Sequence, residues 1–168
     1  GHLLKKSLEI FEKKYLNKIK HNKNINLRLL TLGHKNNFTI NLNKIKWSHK
    51  GIVSSDSKLN LYYRSADVLI SPSLYDFGPH VVNESVLNDL PVIAFEVGTA
   101  KDVIVNHVNG FLIPCYDTSK LAFYLQKIIF NKNNFKNNNL RKKIKSFRHS
   151  DYEAESFIKL SKNNIKKR

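Results

Sequence analysis

Sulfur-containing residues are almost absent from this sequence, which has one cysteine, Cys115, and no methionine among 168 residues. A single cysteine excludes an internal disulfide, and the seven histidines show no metal-ligand pairing with it that would build a zinc site. No apolar run approaches the roughly 20 residues that a membrane-spanning helix needs, and the first residues lack the apolar segment of a signal peptide. Because an initiator methionine is also lacking, we expect the chain to be part of a longer protein.

Acidic residues are scarce relative to basic ones. Lys and Arg number 29 against 13 Asp and Glu, which gives a formal net charge of +16. Such a balance attracts polyanions such as nucleic acid, anionic lipid or phosphorylated ligands. The lysines lie among Asn and Ile, as in KIKHNKNIN, which is typical of background composition on a solvated surface. No interleaving of aromatic and basic residues resembles an RNA-binding motif, so nucleic acid is not an expected partner, while an anionic membrane surface stays open.

Short apolar runs of strand length alternate with amphipathic segments of helix length along the chain. This alternation predicts βαβ units and therefore the α/β class, with a Rossmann-like parallel sheet and helices on both faces. Ligands of such sheets bind at the carboxyl ends of the strands. The predicted strands are Leu27–Leu32, buried on both faces, Ile45–Val53, Asp67–Ile70, Leu90–Phe95 and Phe111–Pro114. The predicted helices are Leu3–Ile19, a segment capped by Ser54, Ser55 or Asp56, His80–Asn88, a short one after Gly98-Thr99, Asp117–Phe130, Leu140–Phe147 and Tyr152–Asn164.

The loop after Ile70 carries the residues best suited to phosphate and sugar recognition. Gly78 removes a side chain where backbone can approach a ligand, and Pro79 suits the first position of the helix that follows. The unpaired N–H groups of that first turn and the helix dipole favour an anion. Asp76 and Glu84 supply carboxylates that can accept hydrogen bonds from vicinal hydroxyls, as carboxylates do in nucleotide sites.

These residues lie in a longer stretch, ADVLISPSLYDFGPHVVNESVLNDLPVIAFEVGTAKDVIVNHVNGFLI. It resembles the carboxyl-terminal, donor-binding domain of the family 4 retaining glycosyltransferases, which have the GT-B fold. The most specific part is the family's E-x7-E pattern, which stands here as Asp76-x7-Glu84 with Phe77-Gly78 in the usual place. The resemblance covers the chain in order from the first to the last predicted helix. Asp76 is a departure, one methylene shorter than the usual Glu.

The resemblance implies a role for each candidate site residue. Glu84 would hydrogen-bond the nucleotide ribose and Asp76 the donor sugar, and we take these two as the catalytic residues. The resemblance also implies that Gly33 lies near the nucleotide and that the backbone of Ile52 and Val53 contacts the nucleotide base. The remaining predicted substrate-binding residues form one turn that would face the sugar and phosphates: Phe77, Gly78, Pro79, His80 and Val81.

Each assignment has a purely structural alternative. Glu84 would otherwise be an ordinary exposed helix residue, Asp76 an Asx turn, and Gly33 a plain strand-ending turn. Ile52 and Val53 would be a buried strand end, the Phe77–Val81 turn a helix start without a ligand, and His80 a bystander. We interpret Trp47, Tyr62 and Tyr63 as core or helix-face aromatics, and Cys115 as a small buried or half-buried thiol.

The implied activity is transfer of a sugar from a nucleotide-sugar donor to an acceptor with retention. The resemblance implies polysaccharide, lipopolysaccharide or glycolipid synthesis, in the cytoplasm or peripherally at the inner face of the membrane. No metal would be required, and the absence of a D-x-D motif agrees. Residues 1–150 would be the donor-binding domain and residues 151–168 a helix that crosses to a missing amino-terminal acceptor domain, exposing apolar Tyr152, Phe157, Ile158 and Leu160.

Two other kinds of function stay open. The net charge also suits a basic, non-enzymatic module that binds nucleic acid or an anionic membrane. The same fold without catalysis would leave a ligand sensor or an interaction domain. The sugar, the nucleotide base and the acceptor cannot be read from the sequence.

Overall fold

The computed structural model describes residues 1–16, 26–34, 39–76 and 80–131. The turn residues Phe77, Gly78 and Pro79 lie outside the described residues, as do the two helices predicted after residue 131 and the proposed unit 151–168. Among the described helices, none is long and apolar enough to cross a bilayer. The described elements are α1 His2–Lys14, β1 Leu27–Thr31, β2 Ile45–His49, α2 Asp56–Ser65, β3 Leu69–Ser71, α3 His80–Leu87, β4 Val92–Phe95, α4 Ala100–Val103, β5 Gly110–Ile113 and α5 Thr118–Phe130.

All strand pairs in the described part of the chain are parallel, as predicted. Strands β1 and β2 pair with each other, with Leu27 opposite Ile45 and Thr31 opposite His49. The other three strands form a sheet in the order β3-β4-β5. Hydrogen bonding therefore divides the strands into two sheets, and one apolar cluster contains side chains from both. The predicted α/β class with parallel strands is confirmed.

Strand β4 is the centre of the fold because it is buried on both faces. Ile93 and Phe95 point into a core that they share with α1 and α5, while Val92 and Ala94 point into a second core shared with α3 and α4. All four side chains are at most 1% exposed. Successive strand residues point to opposite faces, so a continuous apolar run in the middle of a sheet collects helices on both sides. This arrangement confirms the prediction of helices on both faces.

Strand β1 departs from the expectation for Leu27–Leu32. Leu27 and Leu29 pack against the core, but Arg28 between them is exposed, and no residue of the strand is fully buried. The prediction that this strand is buried on both faces is therefore wrong, since only one of its faces meets the core. The second predicted strand, Ile45–Val53, is also shorter than expected and ends at His49.

Two predicted helix starts are capped by the residues expected. The Ser55 hydroxyl accepts a hydrogen bond from the Lys58 backbone N–H at 3.4 Å and begins α2. The Asp117 carboxylate accepts one from the Lys120 backbone N–H at 2.8 Å and begins α5. Each cap satisfies a backbone donor that the first helical turn leaves unpaired.

The start of β5 has no room for a side chain. A Cβ on Gly110 would lie 2.8 Å from the carbonyl carbon and 2.9 Å from the backbone nitrogen of Val92, and closer still to the Val92 oxygen. Gly110 and Val92 are register partners in the β4–β5 pair. Relief of this clash would displace the central strand.

We predict that Gly110→Ala lowers the free energy of unfolding by about 3 kcal/mol or more, because backbone atoms have to move to admit the methyl group. Gly51→Ala is the control, since its Cβ would meet nothing within 4 Å and its cost is confined to a backbone φ of +70°, about 1–2 kcal/mol. Urea denaturation of both variants checks the order. An equal or smaller loss for Gly110→Ala would contradict the close approach.

Candidate functional site

The carboxyl ends of β1 and β2 are joined by a backbone hydrogen bond between two glycines. The Gly33 N–H donates to the Gly51 carbonyl oxygen at 2.8 Å. Both residues have left-handed backbone, with φ of +101° at Gly33 and +70° at Gly51, and within the described part of the chain no heavy atom lies within 4 Å of an ideal Cβ position on either. At these two positions the main chain can approach a ligand without an intervening side chain of its own.

Ile52 and Val53 follow Gly51 and belong to no strand. Ile52 is 64% exposed and Val53 is half-buried. The alternative interpretation of this pair as a buried strand end is therefore wrong for Ile52. A large apolar side chain so exposed at the carboxyl edge is available to a ligand or to another domain.

Asp76 is the last described residue of the segment that follows β3. Asp76 is half-buried, and α3 begins at His80, which is exposed, as is the next residue, Val81. The first turn of α3 contains no acidic residue, so no carboxylate within that turn neutralises the positive end of the helix dipole. Among the described residues, Asp76 comes directly before positions 77–79 of the sequence, and His80 and Val81 come directly after them.

Glu84 is held by a hydrogen bond from another helix. The buried Tyr63 hydroxyl on α2 donates to Glu84 Oε2 at 2.7 Å, and Glu84 is half-buried on α3. A second contact joins α2 to the end of α3, because the side-chain amide of Asn88, the residue directly after α3, donates to Asn60 Oδ1 at 3.2 Å. The alternative interpretation of Glu84 as an ordinary exposed helix residue is therefore wrong.

The surroundings of Tyr63 keep its hydroxyl protonated. Burial, then the hydrogen bond to Glu84 and the negative charge of that carboxylate, raise the pKa of Tyr63 well above its ordinary value of 10.0. The hydroxyl is therefore a donor to Glu84 throughout the physiological pH range. This fits the prediction of Tyr63 as a core aromatic and adds a polar function to it.

Comparison with known proteins identifies the family to which this chain belongs. Residues 13–147, most of the chain, match the sequence model of the glycosyl transferases group 1. The chain belongs to the glycosyl transferases group 1 family. The match includes every candidate site residue predicted from the sequence.

Two known proteins are similar to parts of this chain. An uncharacterized glycosyltransferase of Methanocaldococcus jannaschii is 29% identical over 79 residues, which are 47% of this chain and 20% of that protein. The structure of a sucrose-phosphate synthase from Thermosynechococcus elongatus matches with a TM-score of 0.60 and 23% identity, over 73% of this chain and 31% of the synthase. The synthase match confirms the GT-B type of α/β fold, and the chain spans only about a fifth to a third of these proteins.

A second similar structure is more distant. HepE of Anabaena, solved in complex with UDP-glucose, matches the group 1 domain with a TM-score of 0.44 and 21% identity. The match covers 62% of this chain and 32% of HepE.

Sequence reasoning missed a hydrogen-bonded cluster near Gly33 and Gly51 in the group 1 domain. Trp47 Nε1 donates to Thr31 Oγ1 at 3.0 Å, and the same hydroxyl is 3.0 Å from His49 Nδ1. Among the described residues, nothing hydrogen-bonds the buried His49 Nε2. Because Thr31 and His49 are paired only through the strand register, no local sequence signal could have revealed the cluster.

Exposed tyrosines and the cysteine occupy the loops after β3 and β5. Tyr75 is 88% exposed and Tyr116 is 59% exposed. Tyr75, by its charge and then by its hydrogen bond, raises the pKa of the Tyr116 hydroxyl.

Cys115 is exposed, so the expectation of a buried or half-buried thiol is wrong, because the residue lies in the turn that follows β5. In the described ranges, no three His, Cys, Asp or Glu residues group so as to hold a metal ion.

The raised pKa of Tyr63 gives a pH dependence with a defined sign. Between the ordinary pKa of 10.0 and the higher folded-state value, the folded protein binds the proton that the unfolded chain loses. The stabilisation is therefore complete below about pH 10 and is lost as the pH rises further. We predict that Tyr63→Phe makes the fall of the unfolding free energy above pH 10 shallower than in the wild type.

Urea denaturation at a series of pH values measures this difference. Tyr62→Phe is the control, because it removes a hydroxyl from the neighbouring residue of the same helix and leaves the hydrogen bond from Tyr63 to Glu84 in place. Identical slopes for Tyr63→Phe and the wild type above pH 10 would contradict the buried, hydrogen-bonded hydroxyl.

Proposed function

We propose that this chain is the donor-binding part of a retaining, family 4 glycosyltransferase that moves a sugar from a nucleotide-sugar to an acceptor. The observation that carries the proposal is the Glu84 carboxylate, half-buried in the helix after β3 and held by Tyr63, eight residues beyond Asp76. It occurs in a member of the glycosyl transferases group 1 family. We place the whole protein in polysaccharide, lipopolysaccharide or glycolipid synthesis in the cytoplasm, where an anionic membrane face would attract the net charge of +16 that these 168 residues have.

In this proposal the donor lies across the carboxyl ends of the strands. The Glu84 carboxylate accepts hydrogen bonds from the ribose hydroxyls, and Asp76 accepts them from the hydroxyls of the sugar. The first turn of α3 receives the phosphates through its backbone N–H groups and the positive end of the helix dipole, with His80 and Val81 at the surface there. The base lies against the backbone near Gly33 and the exposed Ile52.

Transfer needs charge stabilisation on the leaving nucleoside diphosphate. Backbone N–H groups at the helix terminus and basic side chains would supply it, with no metal required. An amino-terminal acceptor domain, which we propose as the partner of this chain, would complete the cleft and exclude water from it.

A panel of UDP-, GDP-, ADP- and CMP-sugars tests whether the chain binds a donor. We predict that at least one raises the thermal midpoint, since a ligand at 100 times its dissociation constant stabilises by about 2.7 kcal/mol. Ligand-observed NMR at millimolar ligand covers weak binding. Failure of every nucleotide-sugar in both measurements would contradict the proposed function.

The two carboxylates are expected to respond differently to substitution. Asp76→Ala should weaken binding of the nucleotide-sugar and leave the nucleoside diphosphate nearly unchanged, because Asp76 is assigned to the sugar alone. Glu84→Ala should weaken both ligands, because both contain ribose. Each loss of a hydrogen bond to a charged acceptor costs about 1.5–3 kcal/mol, or roughly ten- to a hundredfold in affinity.

Isothermal calorimetry with both ligands measures these losses. Asp67→Ala is the control, because it removes an exposed carboxylate from the segment just before the amino end of β3. Unchanged affinities in Glu84→Ala, in a protein that binds the donor, would show that the carboxylate assignment is wrong.

The net charge of +16 favours one further candidate, a basic module that binds nucleic acid or an anionic membrane. Salt-dependent retention on DNA, or on vesicles containing anionic lipid, together with no nucleotide-sugar binding, would favour that function over glycosyl transfer.

A further inference from the structure

We propose that Tyr63 is a positioning residue, which holds the Glu84 carboxylate in the orientation that accepts the ribose hydroxyls of the donor. The inference rests on the proposed function, because it assumes that Glu84 binds ribose. It adds a residue outside the Asp76–Glu84 pattern, on a different helix and 21 positions away along the chain.

The geometry gives Tyr63 a rigid base from which to act. Its side chain is only 7% exposed, and it is the buried residue of α2, a helix capped at its start by Ser55. The hydroxyl reaches Glu84 Oε2 at 2.7 Å, the ordinary length of a well-formed O–H···O hydrogen bond. The buried ring cannot swing away, so the hydroxyl fixes where that carboxylate oxygen lies.

A glutamate side chain needs such help because it turns about three bonds. A free Glu would lose this rotational freedom when it binds a ligand, and the loss would weaken binding. Tyr63 has already restricted Glu84 in the absence of a ligand. A carboxylate has two oxygens, so Oε2 can accept from Tyr63 while Oε1 accepts from a diol.

The chemistry of the pair suits a permanent contact. Tyr63 stays protonated at physiological pH, so its hydroxyl donates and Glu84 accepts. Tyr63 would thus set the direction of the Glu84 carboxylate without touching the donor itself.

A matched control exists at the same two helices. Asn60 lies one turn before Tyr63 on α2, and Asn88 directly follows the last residue of α3. Their side chains are joined by a hydrogen bond of 3.2 Å. Asn60→Ala removes this link between α2 and α3 and leaves the Tyr63–Glu84 bond in place. It separates a loss of helix–helix contact from a loss of carboxylate positioning.

The test compares ribose with 2′-deoxyribose as ligands of the full chain. Affinities for UDP, GDP and ADP and for their 2′-deoxy counterparts are measured by calorimetry or ligand-observed NMR. The dissociation constant of each 2′-deoxy nucleotide divided by that of its ribose counterpart reports the contact to the 2′-hydroxyl. This ratio is above one where the contact favours ribose. We expect this ratio to fall by about fivefold in Tyr63→Phe, as for the loss of one hydrogen bond, and to keep its wild-type value in Asn60→Ala.

The double variant tests whether Tyr63 acts through Glu84. If it does, Glu84→Ala lowers the ratio towards one, and adding Tyr63→Phe to Glu84→Ala changes it no further. The Tyr63→Phe substitution keeps the buried ring, and a thermal midpoint near that of Asn60→Ala shows that the fold is retained. A merely structural role for Tyr63 would weaken ribose and deoxyribose ligands equally and leave the ratio unchanged.

The outcomes separate this inference from the proposed function. A ratio that falls in Glu84→Ala but not in Tyr63→Phe overturns the positioning role and leaves the donor site standing. A ratio that is unchanged in Glu84→Ala overturns the assignment of Glu84 to the ribose and this inference with it, whereas a chain that binds none of the nucleotides or nucleotide-sugars overturns the proposed function itself.

Discussion

The burial of β4 on both faces is the constraint on which the rest of the structure depends. Ile93 and Phe95 on one side and Val92 and Ala94 on the other each need a layer of apolar side chains against them. Helices α1 and α5 supply one layer, and α3 and α4 the other. A parallel strand can be left in the middle of a sheet only when both its faces are covered in this way. The helix that carries Glu84 is therefore held in place by the core.

The second core links this packing to the candidate site. Val82 and Val86 turn one face of α3 towards β4, where both are nearly inaccessible to solvent. Glu84 lies between them in the sequence, so it projects from a different face of the same helix and meets Tyr63. Rigid packing of α3 and the polar contact with α2 thus restrict the same carboxylate from two sides. A binding group supported in this way costs less entropy to order when a ligand arrives.

Prediction from the sequence succeeded where neighbouring residues decide the structure and failed where distant ones do. The apolar run at Val92–Phe95 and the caps Ser55 and Asp117 lie as predicted, because period and capping act over a few residues. The burial of β1 on both faces was wrong, since an apolar run does not say how many faces meet a partner. The role of Glu84 in the donor site, taken from a motif, stays a prediction, as do the roles of Asp76 and the Phe77–Pro79 turn.

The sequence by itself determined the α/β class, the order of the elements and the family, because hydrophobic periodicity, helix caps and the spacing of Asp76 and Glu84 are all properties of short segments. Only the tertiary structure decided that Tyr63 meets Glu84, that Thr31 and Trp47 meet beside His49, and that Ile52 is exposed. These contacts join residues on different strands or helices. Their geometry depends on how whole elements pack, and no local pattern in the chain encodes that packing.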